Sequence, residues 1–285
     1  MFVFWLIGAI AERHDPRVDG LALSDWLRHL NYEVLSPDTR TNRVWAAESV
    51  RKAGSEAVPL LLEYLAMDEN SRSYKIKEKI AKVMRIDIMH PIYQRWDAVT
   101  AFKILGTNGQ AAVPQLILML EDTNRMEYAA MCLGWVRAPG ALMIFTNLLN
   151  EADVEKRKTG LYGLGALGEA ARPVSPQIIA MAQNETNYIT RIVAIEALSE
   201  IGPAEQVIPL LTQITKTDTN GTVRLYATRV VGSFYREPEK ARTALKAAEQ
   251  DKDQMVRDGA EIGLKALEEA IATEELRVIW RENYP

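Results

Sequence analysis

The chain is poor in the residues that most often carry chemistry. It has a single cysteine, Cys132, which excludes an intramolecular disulfide framework and any CxxC metal or redox motif. Its three histidines, His14, His29 and His90, stand far apart and form no HxxxH or HExxH spacing. A His-rich metal site is therefore not expected, and no cofactor is expected either. There is no basic excess: 34 Lys and Arg face 38 Asp and Glu, a net charge of −4, which disfavours a whole-chain nucleic-acid binder while leaving room for a local patch. Neither a dinucleotide-binding glycine fingerprint nor a phosphate-binding loop is present. The nearest imitation, GLYGLGALG (160–168), lies inside a helical pattern with no strand before it, so its glycines are read as allowing helices to approach closely. No apolar run is long enough to span a bilayer. Phe2–Ala11 (FVFWLIGAIA) is wholly apolar, but ten residues of helix cover about 15 Å, half of a membrane core. It also lacks the basic flank of a secretory signal. Two readings stand for it: the stub of an N-terminal anchor, or a short element packing on the first repeat.

What is present is repetition. Helical segments ending in small-residue turns recur, with an alanine or glycine at 46, 101, 129, 160, 194, 227 and 260. The last three intervals are 34, 33 and 33 residues, and only the first, at 55, is long. Three residues before these positions stand Arg43, Ala98, Met126, Arg157, Arg191, Arg224 and Arg257. Four residues before that, the last five units carry Asp122, Asp153, Asn187, Asn220 and Asp253, natural helix N-caps. An arginine one turn into such a helix can reach an acid of the adjacent unit. A second helix follows each turn, as in AVPLLLEYLAM (57–67) and EQVIPLLTQITK (205–216). Its prolines, Pro59, Pro114, Pro176 and Pro209, fall in the first turn or two, where the missing N–H does little harm. Strand alternation is absent throughout. Before the repeats, Arg13–Gly20 reads as a turn or linker, and Leu23–Leu30 as a short helix with Ser24 as its N-cap.

The pattern D-x-x-x-R, then A-x-x-A-L-x-x-I-G, then A-V-P-x-L-x-x-L-L resembles HEAT repeats over about residues 40–270. The opening DGLALSDWLRHL followed by VWAAESVRKAGSEAVPLLLEYL resembles uncharacterised bacterial HEAT-repeat proteins of the Verrucomicrobia type. In those proteins such a helix follows a membrane anchor, which implies that FVFWLIGAIA is a clipped anchor. The expected fold is all-α: a right-handed solenoid of about seven two-helix repeats. Residues 1–20 would form the apolar segment and linker, and residues 21–285 a single solenoid. The helix at 21–31 and the acidic run after residue 265 would cap its ends.

The long interval holds one element beyond the repeat. Ser71–Arg85 carries Arg72, Lys75, Lys77, Lys79, Lys82 and Arg85 against one acid, Glu78, with Ile76, Ile80, Val83 and Met84 at helical spacing. This basic amphipathic helix is read as the solvated face of a helix packed into the solenoid. Its functional alternatives are an anionic membrane, a nucleic-acid backbone or an acidic partner. The arginines Arg43, Arg157, Arg191, Arg224 and Arg257 are read as bridges between repeats. Trp45, Trp96 and Trp135, with Tyr128 and Tyr226, fall on the helices that line the concave surface of such a fold. They are candidate anchors for a partner, or inter-repeat packing. Cys132 is read as a small core residue and His90 as a loop residue.

The expectation is a non-enzymatic, monomeric scaffold that holds a protein partner along the concave face, with nucleic acid disfavoured. The alternatives are a HEAT-like enzyme or nucleic-acid binder, or a peripheral membrane adaptor. The resemblance extends to DNA glycosylases, for which Trp96 and Asp97 are the nearest candidates, and to bilin lyases. A di-iron hydroxylase would need repeated His-Glu pairs. A cell-envelope location would follow from an N-terminal anchor, and a cytoplasmic one from its absence.

Overall fold

The computed structural model describes residues 15–31, 37–84 and 88–283, with side chains for 15–30, 42–72, 74–84 and 88–273. The apolar segment 2–11 and Arg85 lie outside the described residues. The described chain is all-α apart from one small hairpin, and it divides into two compact units, Met1–Ala141 and Leu142–Pro285.

The hairpin corrects the expectation of a plain turn. Strands β1 (Arg17–Val18) and β2 (Leu21–Ala22) pair antiparallel. The Asp19–Gly20 link takes positive φ at both residues, 51° and 84°, the tight hairpin turn that an Asp-Gly pair suits. With two residues per strand, there was no alternation to read. Helix α1 (Leu23–Asn31) follows at once. Ser24 is not its cap: the helix begins one residue earlier, and Asp15 Oδ1 accepts from the Ser24 N–H at 3.0 Å.

In the first unit α1 packs on α2 (Pro37–Ala53), and both pack on α5 (Pro91–Leu105). Helix α3 (Val58–Ala66) packs on α5 as well. Helix α4 (Arg72–Met84) is the inserted one. Helix α6 (Val113–Met119) and α5 then pack on α7 (Met126–Trp135). Leu23, Leu27, Leu61, Phe102, Leu116 and Leu133 are fully buried between these helices. Cys132 is buried too, and burial pushes its thiol well above the usual range. His90 caps α5, its Nδ1 accepting from the Ile92 N–H at 3.3 Å.

The second unit repeats the same pairing. Its helices are α8 (Ala141–Leu148), α9 (Val154–Leu167), α10 (Ser175–Asn184), α11 (Tyr188–Ile201), α12 (Ala204–Thr217), α13 (Gly221–Val231), α14 (Pro238–Ala248) and α15 (Gln254–Asn283). The arginine-bearing helices stack in succession, α9 on α11, α11 on α13 and α13 on α15. The intervening helices α10, α12 and α14 each pack on the next arginine-bearing one. Asp153, Asn187 and Asn220 cap α9, α11 and α13 as their positions predict. The last repeat differs from the two-helix expectation. Residues 264–283 contain no Gly or Pro, so nothing breaks α15, and it runs on as one helix of 30 residues.

Two glycines show why the chain needs them. Gly168 ends α9 at φ 60°, a conformation that side chains rarely adopt. Gly163 lies where a Cβ would fall 2.5 Å from the Phe145 ring, so α9 approaches α8 only because that atom is missing. Gly163→Ala is expected to destabilise the protein by about 1–3 kcal/mol through overpacking. Urea unfolding checks this; Ala at the exposed position Ser233 is the control.

Candidate functional site: the arginine-bearing helices

The arginine positions of the second unit form a continuous ladder. Arg157 donates from Nη1 to the Glu151 and Ala152 carbonyls at 3.0 and 2.7 Å, in the loop just before its own helix. Its Nε and Nη2 donate to both oxygens of Glu185, at 3.1 and 3.2 Å. Glu185 in turn offers its backbone carbonyl to Arg191 Nη1 at 2.7 Å. The remaining edge of Arg191 takes Asp218 at 2.9 Å on both oxygens. The Asp218 carbonyl then accepts from Arg224 at 2.9 Å, and Arg224 grips Asp251 at 2.9 and 3.0 Å. Arg257 closes on the Asp251 and Lys252 carbonyls at 2.6 and 3.0 Å. Every linking acid stands six residues before the next arginine.

Burial deepens along this ladder, from 15% exposure at the Arg157 side chain to 2% at Arg224. Arg224 uses every N–H of its guanidinium: two carbonyls, both oxygens of Asp251, and Asp253. It keeps no donor for a bound anion. The clefts beside the ladder, of about 470 and 360 Å³, are lined at helix ends by Asn184, Gln213 and Thr217, and by Thr215, Lys216 and Gln250.

The electrostatics agree with the geometry. Burial works against charge on Glu185, but the Arg157 donors and charge outweigh it and hold the carboxyl below its usual range. Asp251 is lowered in the same way, with Arg224 and the Asp253 N–H overcoming its desolvation. Arg224 is raised, chiefly by its hydrogen bonds to Asp251.

The first unit departs from this pattern, and it holds the residue that the sequence register missed. Arg95 is buried and donates from Nε and Nη2 to the Met67 carbonyl at 3.2 and 2.6 Å, with Glu69 accepting at 2.7 Å. Arg95 is thus the arginine of the second repeat, and Ala98, three residues later, is its small residue. Arg-x-x-Ala carries the signal, but Ala101 is also small and buried and offers a register three residues later. Arg43 is exposed and donates to the Leu30 carbonyl at 3.1 Å. Asp122 is not an N-cap. It accepts from the Asn124 N–H at 2.9 Å, as Asp218 does from Asn220, and pairs with Arg125 at 2.9 Å.

Of the aromatic candidates, the structure brings two together. The Trp96 and Tyr128 rings meet edge to face, 5.4 Å between centroids and 77° between planes. The Arg95 Cζ lies 5.7 Å from the Tyr128 centroid. Trp96 stays 43% exposed on α5, and Trp45 is 59% exposed on α2. Trp135 is half-buried beneath Lys103 Nζ, 4.3 Å from its centroid. Tyr226, in the second unit, is half-buried beside Arg229. Asp97 is only 2% exposed, so it does not converge with Trp96 on a surface groove. Among the described residues, no three His, Cys, Asp or Glu side chains are grouped to hold a metal ion.

Arg224→Met, which strands Asp251 and two loop carbonyls, is expected to cost about 3–5 kcal/mol. Arg242→Met, at a more exposed pair with Glu268, is the control and should leave the urea midpoint close to that of the unaltered chain. Because Glu185 and Asp251 are lowered in the folded state, their contribution is complete above the unfolded carboxylate range, near pH 4, and is lost as pH falls below it. Urea midpoints measured from pH 6 downward should drop steeply below about pH 4. The drop should be shallower in Asp251→Asn.

The family model described as HEAT repeats matches residues 146–232 and 174–265. No curated protein matches the chain in sequence. Among solved structures, human deoxyhypusine hydroxylase in complex with glycerol is 18% identical, covering 87% of this chain and 96% of that one at a TM-score of 0.35. The CpcE–CpcF complex of phycocyanin lyase from Nostoc sp. PCC7120 is 20% identical, covering 88% and 97% at 0.40. A designed armadillo repeat protein is 18% identical, covering 86% and 99% at 0.34. The two overlapping matches place HEAT repeats over residues 146–265, and the described chain is built of paired helices as an all-α solenoid.

Proposed function

We propose that this repeat scaffold works without catalysis, holding a protein partner along its arginine-bearing helices, with Trp96 and Tyr128 as the anchor. The observation that carries this reading is the exposed Trp96 ring seated on Tyr128 beside the buried Arg95. Tryptophan, tyrosine and arginine are the residue types that dominate binding hot spots. Their mutual packing fixes the Trp96 rotamer before any partner arrives, which lowers the ordering cost of association. Trp45, on the neighbouring arginine-bearing helix α2, adds a second exposed ring. A partner segment with an apolar side chain suits this surface, seated on the exposed Trp96 ring.

Crosslinking capture from a native extract tests the reading when the unaltered chain is run against Trp96→Ala. The expected result is a defined protein whose capture falls at least about ten-fold in Trp96→Ala, as for a hot-spot truncation. Capture that ignores Trp96, alongside tight and salt-sensitive binding of DNA, would sink it.

A further inference from the structure

Helix α4 is the one element that the repeat does not need. The ladder arginines reach carbonyls six residues back, whereas Arg95 makes the equivalent bond to Met67, 28 residues back. The excess, 22 residues, contains α4. Among the described residues, α4 makes no extended packing with any other helix. It is held at one side: Ala81 is buried, and the Tyr74 ring meets His90 at 6.1 Å, which in turn meets Tyr93 at 6.4 Å.

The opposite side is unusual. At helical spacing, Ile76, Ile80, Val83 and Met84 share an arc of about 100°. Solvent reaches that arc: Val83 is 84% exposed and Ile76 49%. This corrects the expectation of a solvated charged face with its apolar stripe packed inward. The inward side is Tyr74 and Ala81, and the apolar stripe points out. Arg72, Lys75, Lys79 and Lys82 run along one flank of it, and Lys77 stands on the other, all five exposed. Glu78 lies on the side towards Tyr74.

We infer that α4 docks this protein onto an anionic lipid surface, with its cations among the head groups and the Ile76–Val83 ridge at the acyl boundary. An apolar ridge between flanks of cations is the arrangement an interfacial helix needs. Each cation gains from the negative surface potential, and the ridge gains by leaving water. A nucleic-acid backbone would engage the lysines but leave the ridge in water, and the helix's one ring, Tyr74, faces inward. An acidic groove that wraps a helix needs more of its circumference than α4 presents, since both ends join the folded unit. A flat surface is met by one side alone. The docking is peripheral: 13 residues make about 20 Å of helix, too short to cross a bilayer. No described helix is long and apolar enough to do so. This inference is independent of the partner surface on Trp96.

Flotation of the full chain with vesicles tests it. Vesicles of phosphatidylcholine with phosphatidylserine should carry the protein, those of phosphatidylcholine alone should not, and added salt should weaken the binding. Lys75→Ala, Lys79→Ala and Lys82→Ala combined should lower partitioning roughly 100-fold. Val83→Asn alone should lower it about ten-fold, while the thermal transition of both variants is unchanged. Absence of flotation overturns the inference. So does flotation that neither variant alters, which would place the contact elsewhere in the chain. A loss confined to the lysine variant, with equal retention on duplex DNA, overturns it in favour of a phosphate backbone.

Discussion

The structure of the second unit depends on a double commitment made by Arg157, Arg191 and Arg224. One edge of the guanidinium satisfies carbonyls in the loop before its own helix, and the other grips a carboxylate one repeat further on. Glu185, Asp218 and Asp251 have matching double roles, carboxylate to one arginine and carbonyl to the next. A planar fork with five donors can meet both demands; a lysine cannot. The spacing of carbonyl, arginine and acid then fixes the length of the repeat, because an altered spacing breaks two sets of bonds. Placing ions at such depth would be costly with donors left over, and Arg224 has none left. Stability is therefore carried from neighbour to neighbour, as expected of a stack without a single core.

Much of this was legible in the sequence. Arginine, Asx cap and small residue recur at fixed offsets, and the structure places Asp153, Asn187 and Asn220 as caps where those offsets put them. The glycines of GLYGLGALG were legible as sites of close approach, and Gly163 against Phe145 is one. The linking acids have a signal too, Glu185, Asp218 and Asp251 each six residues before an arginine, but it lies outside the cap pattern, which ends four residues before it. Arg95 was hidden by a different cause. The insertion separates it from its loop, and Ala98 and Ala101 are both small and both buried, so either could anchor the register. The hairpin and the unbroken α15 were not legible from periodicity. Two residues per strand carry no period, and the end of a repeat array has no following unit to register against.

In the first unit the ladder gives way to something else. Asp122 stands 27 residues after Arg95, the separation of Asp218 from Arg191 and of Asp251 from Arg224. It bonds Arg125 instead. Six residues after Asp122, where the later units place arginine, stands Tyr128. Arg95 therefore keeps Glu69 in the loop after α3 and meets an aromatic face where the later arginines meet the next repeat's carboxylate, and Trp96 takes the edge of the same ring. With a ring in place of the guanidinium and Asp122 turned to Arg125, the ion pair between these repeats is absent and an aromatic surface stands there. The candidate anchor and the interruption of the ladder are thus one feature, seen from its surface and from its packing.

The same logic explains how the chain tolerates α4. Loop-closure entropy grows only with the logarithm of loop length, so 22 further residues between α3 and α5 cost little in closing the repeat. Arg95 still reaches the Met67 carbonyl, so the interface on either side of the insertion is preserved. In a fold with one central core, apolar residues such as Val83 and Ile76 would be drawn inward or would compete with the core during folding. In a stack held by neighbour contacts and by the precise reach of an arginine, an insertion can carry its own apolar face outward without disturbing any interface. The exposed ridge is therefore compatible with the fold, but no packing among the described residues accounts for it. The lipid surface proposed for α4 would account for it, since a flat anionic boundary takes up a ridge flanked by cations.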